Sequence, residues 1–121
     1  MKRDMDLIRK LLLYLEDTNS YNREYPIRIV GYGQDEIGYH SYLLVDAGLA
    51  TGIDTTTLDY GESEYQLTGL TWNGHEFLDA ARDETNWNKA KTIFTAMGGF
   101  SLPLLLELLL KYVREQIGIP G

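Results

Sequence analysis

The chain has 121 residues, with eleven Lys or Arg against eighteen Asp or Glu, a formal net charge of −7. That length suits one compact domain, and an apolar fraction of 44% is enough to build its core. With no Cys, disulfides, thiolate metal sites and a Cys nucleophile are excluded. The charged opening Met1-Lys2-Arg3-Asp4-Met5-Asp6 is unlike a signal peptide, and no apolar run reaches the roughly 20 residues of a membrane span. A soluble, cytoplasmic protein without a membrane partner is the expectation.

Asp4 to Asp17 reads as an amphipathic helix: Met5, Ile8, Leu12 and Leu15 recur at helical spacing, widened by Leu7 and Leu11. Asp4 is its expected N-cap, and Asp6 places a carboxylate in the first turn, where the helix dipole favours it. Thr18 to Asn22 breaks the pattern. Pro26-Ile27-Arg28-Ile29-Val30 alternates and is β-branched, which predicts a short strand on a sheet edge. A second helix is expected from about Gln34 to Ala47, burying Ile37, His40 or Ser41, Leu44 and Ala47, with Gly48 as its left-handed stop. Gly38 in its interior costs up to about 1 kcal/mol relative to Ala, so a close approach is expected there.

Leu49 to Tyr60 and Tyr65 to Thr71 predict a β-hairpin around Gly61-Glu62-Ser63-Glu64, and the phase of Ile53 and Leu58 calls for a bulge or a late start. Asn73-Gly74 alone signals a hairpin turn, but Phe77, Leu78 and Ala81 continue at helical spacing. The prediction is therefore one helix from Thr71 to about Ala96, kinked near Thr85-Asn86 and stopped by Gly98-Gly99. Ser101 caps a last helix, Leu102 to about Gln116, with Pro103 in its first turn. Glu107, Lys111 and Arg114 make its polar strip, and the leucines around it need either a second surface or a deep wrap by the chain's own domain. A homodimer through Leu102, Leu105, Leu106, Leu109, Leu110 and Val113 is the expectation, with residues 98–121 as the dimerising part of one compact unit with 1–97.

The phrases Leu44-Val45-Asp46-Ala47-Gly48-Leu49 and Leu70-Thr71-x-x-Gly74, on either side of the hairpin, resemble the joints of winged helix-turn-helix domains. The whole chain resembles a family of small proteins, found largely in phages and prophages and catalogued as a domain of unknown function. That resemblance rests on Met1 to Arg9, Tyr39-His40-x-Tyr42-Leu43-Leu44, Leu70-Thr71-Trp72-x-Gly74-His75-Glu76-Phe77-Leu78-Asp79 and Gly98-Gly99-Phe100-Ser101. It implies an α+β, winged-helix-like domain with two further C-terminal helices and a mobile-element context. One departure is evident: between Tyr21 and Gly33 no helix is expected where a helix-turn-helix keeps its first half.

A DNA-reading winged helix would lay the Gln34–Ala47 helix and the hairpin on the duplex. Between Gln34 and Glu64 there are seven carboxylates and no Lys or Arg, so this surface would repel phosphate. Gln34 alone could read a base edge. The same region offers Tyr32, Tyr39, Tyr42, Tyr60 and Tyr65 beside Asp35 and Glu36, a composition suited to a basic protein partner. The alternative is DNA contact through Lys2, Arg3, Arg9, Lys10 and Arg28.

No catalytic constellation is expected. Gly31-Tyr32-Gly33 is followed by Glu36 where a dinucleotide fingerprint needs glycine, and no Walker lysine occurs. His75 and Asp79 stand at a spacing that could share a metal, with His40 as a third ligand from elsewhere, but the pattern is not His-Glu-x-x-His. Neither cofactor nor metal is expected, and Asp83 with Glu84 reads as a solvated face.

Overall fold

The computed structural model describes residues 2–55, 65–98 and 101–118. In chain order these form α1 (Met5–Asp17), α2 (Gln34–Asp46), β1 (Ala50–Asp54), β2 (Tyr65–Leu70), α3 (Trp72–Ala81), α4 (Glu84–Ala96) and α5 (Leu102–Gln116). The expected Leu58, Tyr60, turn residues Gly61 to Glu64, Gly99 and Phe100 lie outside the described residues. The chain is thus α+β and falls into two compact units, Met1–His75 and Glu76–Gly121.

In the first unit α1 forms as its pattern requires. The Asp4 carboxylate accepts from the backbone N–H of Asp6 and Leu7, and Met5, Leu7, Ile8, Leu11, Leu12 and Leu15 are buried. β1 and β2 pair antiparallel, and α1 and α2 both pack on the sheet. A register irregularity sits between Thr51 and Gly52, ahead of the Ile53–Leu58 stretch for which one was expected. Thr51 opposes Gly69 while Gly52 opposes Leu67, leaving Thr68 as the extra residue of a bulge.

The phrases at the two joints of the hairpin lock onto each other. Leu49 N–H donates to Leu44 C=O and Gly48 N–H to Val45 C=O, with Gly48 at φ +75°. This is a Schellman stop whose apolar contact pairs positions 44 and 49, both buried. Thr71 then binds this corner twice, its N–H to Leu49 C=O and its hydroxyl to Gly48 C=O at 2.6 Å. The same hydroxyl accepts from Gly74 N–H, capping α3. A Cβ on Gly74 would lie 1.9 Å from the Leu49 carbonyl oxygen, so only glycine lets the helix start against that corner.

Three expectations are corrected. Pro26 to Val30 is not a strand: its alternation reflects one buried side chain, Ile27, while Val30 is exposed. The backbone of β2 is met from this direction by side chains, Arg23 Nη1 on Thr68 C=O and the Tyr25 hydroxyl on Leu67 C=O. Ala47 is exposed, and both His40 and Ser41 are buried. The single helix expected over Thr71–Ala96 is two helices, because Asp83 accepts from Asn86 N–H and caps a new start. Asp83 and Glu84 are both exposed, as expected, and Asp83 has the cap as a further role.

In the second unit α4 packs on α5. Its core holds Phe77, Leu78, Trp87, Ala90, Phe94, Leu105 and Leu109, with Phe77 and Trp87 edge-to-face at 6.4 Å. Ser101 and Pro103 open α5 as expected.

Candidate interaction face and adjoining cleft

On α2, Asp35, Tyr39, Tyr42 and Asp46 recur at i, i+4, i+7 and i+11, opposite the buried Ile37, Ser41 and Leu44. Asp35, Tyr42 and Asp46 are exposed and Tyr39 is half-buried. Tyr42 leans on Tyr65 of β2, with ring centroids 5.5 Å apart, and Tyr39 meets the His40 ring edge-on. Asp35 and Glu36 also serve the helix itself: Asp35 Oδ1 accepts from Glu36 N–H, and Glu36 Oε1 accepts from Gly33 N–H at the helix start.

Tyr32 belongs to a different neighbourhood. Lys10 Nζ lies 5.4 Å from its ring centroid, a cation–π separation. Burial first, then the negative charge of Asp4, with Asp6 and Glu36 behind it, holds the phenol above its ordinary pKa of 10.0. A residue of the expected acidic, Tyr-rich set thus touches a residue of the expected basic set. Lys2, Arg3, Lys10 and Arg28 are exposed and Arg9 is half-buried. Tyr60 lies outside the described residues.

Beside the tyrosine pair is a cleft of about 320 Å³ lined by Tyr25, Pro26, Ile27, Gln34, Ile37, Gly38, Ser41, Tyr65 and Gln66. Among the described residues no cationic or anionic side chain lines it. Gln34, considered above as a base reader, donates its amide Nε2–H to Ile27 C=O instead. Ser41 donates to Ile37 C=O and Tyr25 to Leu67 C=O. Sequence reasoning did not assemble this cleft. Its one signal was Gly38, a residue that a helix interior disfavours and that here forms part of the wall.

The residues weighed for metal binding stand apart in role. His75 and Asp79 are exposed, Asp79 pairs with Arg82 at 2.9 Å, and both ring nitrogens of His40 are engaged within the chain. Among the described residues no group of three potential ligands forms, and no helix there is long and apolar enough to cross a membrane. Of the residues expected at a dimer interface, Leu105 and Leu109 are fully buried within the chain and so belong to its own core. Leu102, Leu106, Leu110 and Val113 are half-buried.

The family described as "Hypothetical protein (DUF2513)" matches residues 2–101. An uncharacterized protein of Haemophilus influenzae (strain ATCC 51907 / DSM 11121 / KW20 / Rd) is 41% identical over 118 residues, covering 97% of this chain and 95% of that protein. No solved structure matches the chain. With a match over 100 residues and a relative aligned almost end to end, the chain belongs to the DUF2513 family.

Proposed function

We propose that this is a non-enzymatic regulatory protein of phage or prophage type, built on a winged-helix-like plan, that binds a basic protein partner. The observation that carries the reading is the solvent face of α2, where Asp35 and Asp46 flank Tyr39 and Tyr42. No Lys or Arg lies anywhere from Gln34 to Glu64. Fixed carboxylates draw a cationic surface in, and the tyrosine rings supply contact area at low entropic cost. α2 takes the place of a recognition helix and β1–β2 that of a wing, with the usual charge inverted. The test is capture of partner from host lysate by wild type and by a Tyr39→Ala, Tyr42→Ala variant. Salt-sensitive capture that the variant loses, with its circular dichroism unchanged, supports the reading; equal capture by both rejects it.

A second reading, DNA contact through Lys2, Arg3, Arg9, Lys10 and Arg28, draws on the exposure of four of these five residues. It requires a mobility shift on the protein's own promoter region that fades steeply with salt, and no shift at low salt would end it. Self-association through the half-buried Leu102, Leu106, Leu110 and Val113 completes the proposal. Sedimentation of Leu106→Glu, Leu110→Glu against wild type is its test, because these positions spare the internal Leu105 and Leu109.

A further inference from the structure

We infer that the cleft between the Tyr25–Ile27 segment, α2 and β2 binds a small, uncharged aromatic molecule of one or two rings that carries an N–H or O–H donor. This inference goes beyond the partner-binding face and does not depend on it.

Size comes first. A volume of about 320 Å³ stands at the small end of ligand sites and excludes large cofactors. Charge comes next. Among the described residues none of Lys, Arg, His, Asp or Glu lines the space, so against this lining a phosphate, carboxylate or ammonium would lose its hydration without a counter-charge. The walls suit a flat ring: Tyr25, Tyr65 and Pro26 contribute rings, Ile27 and Ile37 apolar side chains, and Gly38 a helix surface without a side chain.

Two hydroxyls of the lining, Tyr25 and Ser41, then set a hydrogen-bond preference. Each hydroxyl of the lining has one proton. Tyr25 has committed its proton to Leu67 C=O and Ser41 its proton to Ile37 C=O. Gln34 has committed one amide hydrogen to Ile27 C=O. What these hydroxyl oxygens still offer is lone pairs, so a bound molecule gains by bringing the donor. Indole and phenol have this chemistry; N-methylindole has the same ring system without the donor.

The experiment is a titration of the 15N-labelled full chain with indole, followed by amide shifts. Saturable shifts centred on Gly38 and the side-chain amides of Gln34 and Gln66, with N-methylindole weaker by about tenfold or more, are the expected result. Tenfold is the affinity equivalent of one such hydrogen bond. A Gly38→Leu variant, whose side chain would occupy the cleft, should lose the indole shifts while keeping its helix signal. Absence of saturable indole shifts overturns the inference. So does equal binding of N-methylindole, a comparison made on the wild-type chain alone.

Discussion

The backbone N–H of Asp4 donates to Nε2 of His40 across thirty-six positions, at 2.7 Å. Because Nε2 is the acceptor, the ring proton sits on Nδ1, which donates to the Glu36 carbonyl at 2.7 Å. The residue that caps α1 is thereby tied to the buried side of α2, and the His40 ring is 1% exposed. Replacing His40 by Phe keeps the bulk but strands the Asp4 N–H. A loss of about 1–3 kcal/mol in urea unfolding is expected, the cost of an orphaned donor. Hydrogen exchange in the first turn of α1 should quicken. An unchanged midpoint would show that water replaces the bond without cost.

Arg23 is the corresponding clamp at the other end of α1. Nε donates to the Thr18 hydroxyl, Nη2 to the carbonyls of Leu15 and Thr18, and Nη1 to Thr68 C=O in β2. The guanidinium thus satisfies carbonyls at the helix C-terminus, where a cation is favoured, and reaches the bulged residue of the sheet. Arg23→Lys keeps the charge but not the planar fork. It should lower stability by about 2 kcal/mol or more in chemical denaturation, and a fully stable Lys variant would reject the clamp.

How much of this was legible in the sequence follows from the range of the interactions. Asp4, Gly48, Ser101 and Pro103 act within one helical turn, so their roles as caps and stops could be read directly. The bulge between Thr51 and Gly52 lies before the Ile53–Leu58 stretch whose phase called for an irregularity, and Leu58 is outside the described residues. Ile27, by contrast, alternates with its neighbours as a strand residue would, and nothing local says that side chains of Arg23 and Tyr25 bind β2 there. The cap role of Asp83 was not legible for the same reason: an exposed carboxylate on a helix face and a cap differ only in backbone path. On the candidate face, α2 periodicity was sufficient to place Asp35, Tyr39 and Tyr42 together. It carried no information on Tyr32, which joins Lys10 through tertiary packing.

Two glycines make opposite predictions. A Cβ on Gly74 would meet the Leu49 carbonyl oxygen at 1.9 Å, far inside contact distance, and both groups are backbone. Gly74→Ala must therefore separate α3 from the Gly48–Leu49 corner, and a loss of about 3 kcal/mol or more is expected in thermal or urea unfolding. Gly38 lies inside α2 and lines the cleft. Gly38→Ala should stabilise by up to about 1 kcal/mol through helix propensity. A stabilised Gly38→Ala chain beside a crippled Gly74→Ala chain is the expected pair. Equal effects would remove the distinction drawn between a glycine in close backbone contact and one that only weakens a helix interior.

Tyr32 links stability to alkaline pH. Burial and the Asp4 carboxylate, aided by Asp6 and Glu36, raise its folded pKa above the 10.0 of an unperturbed tyrosine. The unfolded chain therefore gives up this proton at a lower pH than the folded chain does. Tyr32 contributes its full stabilisation below pH 10, and the contribution falls away as pH rises through the folded value. Urea midpoints of wild type should drop between pH 9 and pH 11 more steeply than those of Tyr32→Phe, which has no proton to lose. Lys10, lying over the ring, is common to both chains, so its own titration cancels in the comparison apart from its coupling to the phenol. Parallel pH profiles would mean that the phenol ionises alike in both states, and the proximity of Asp4 would then carry no energetic weight.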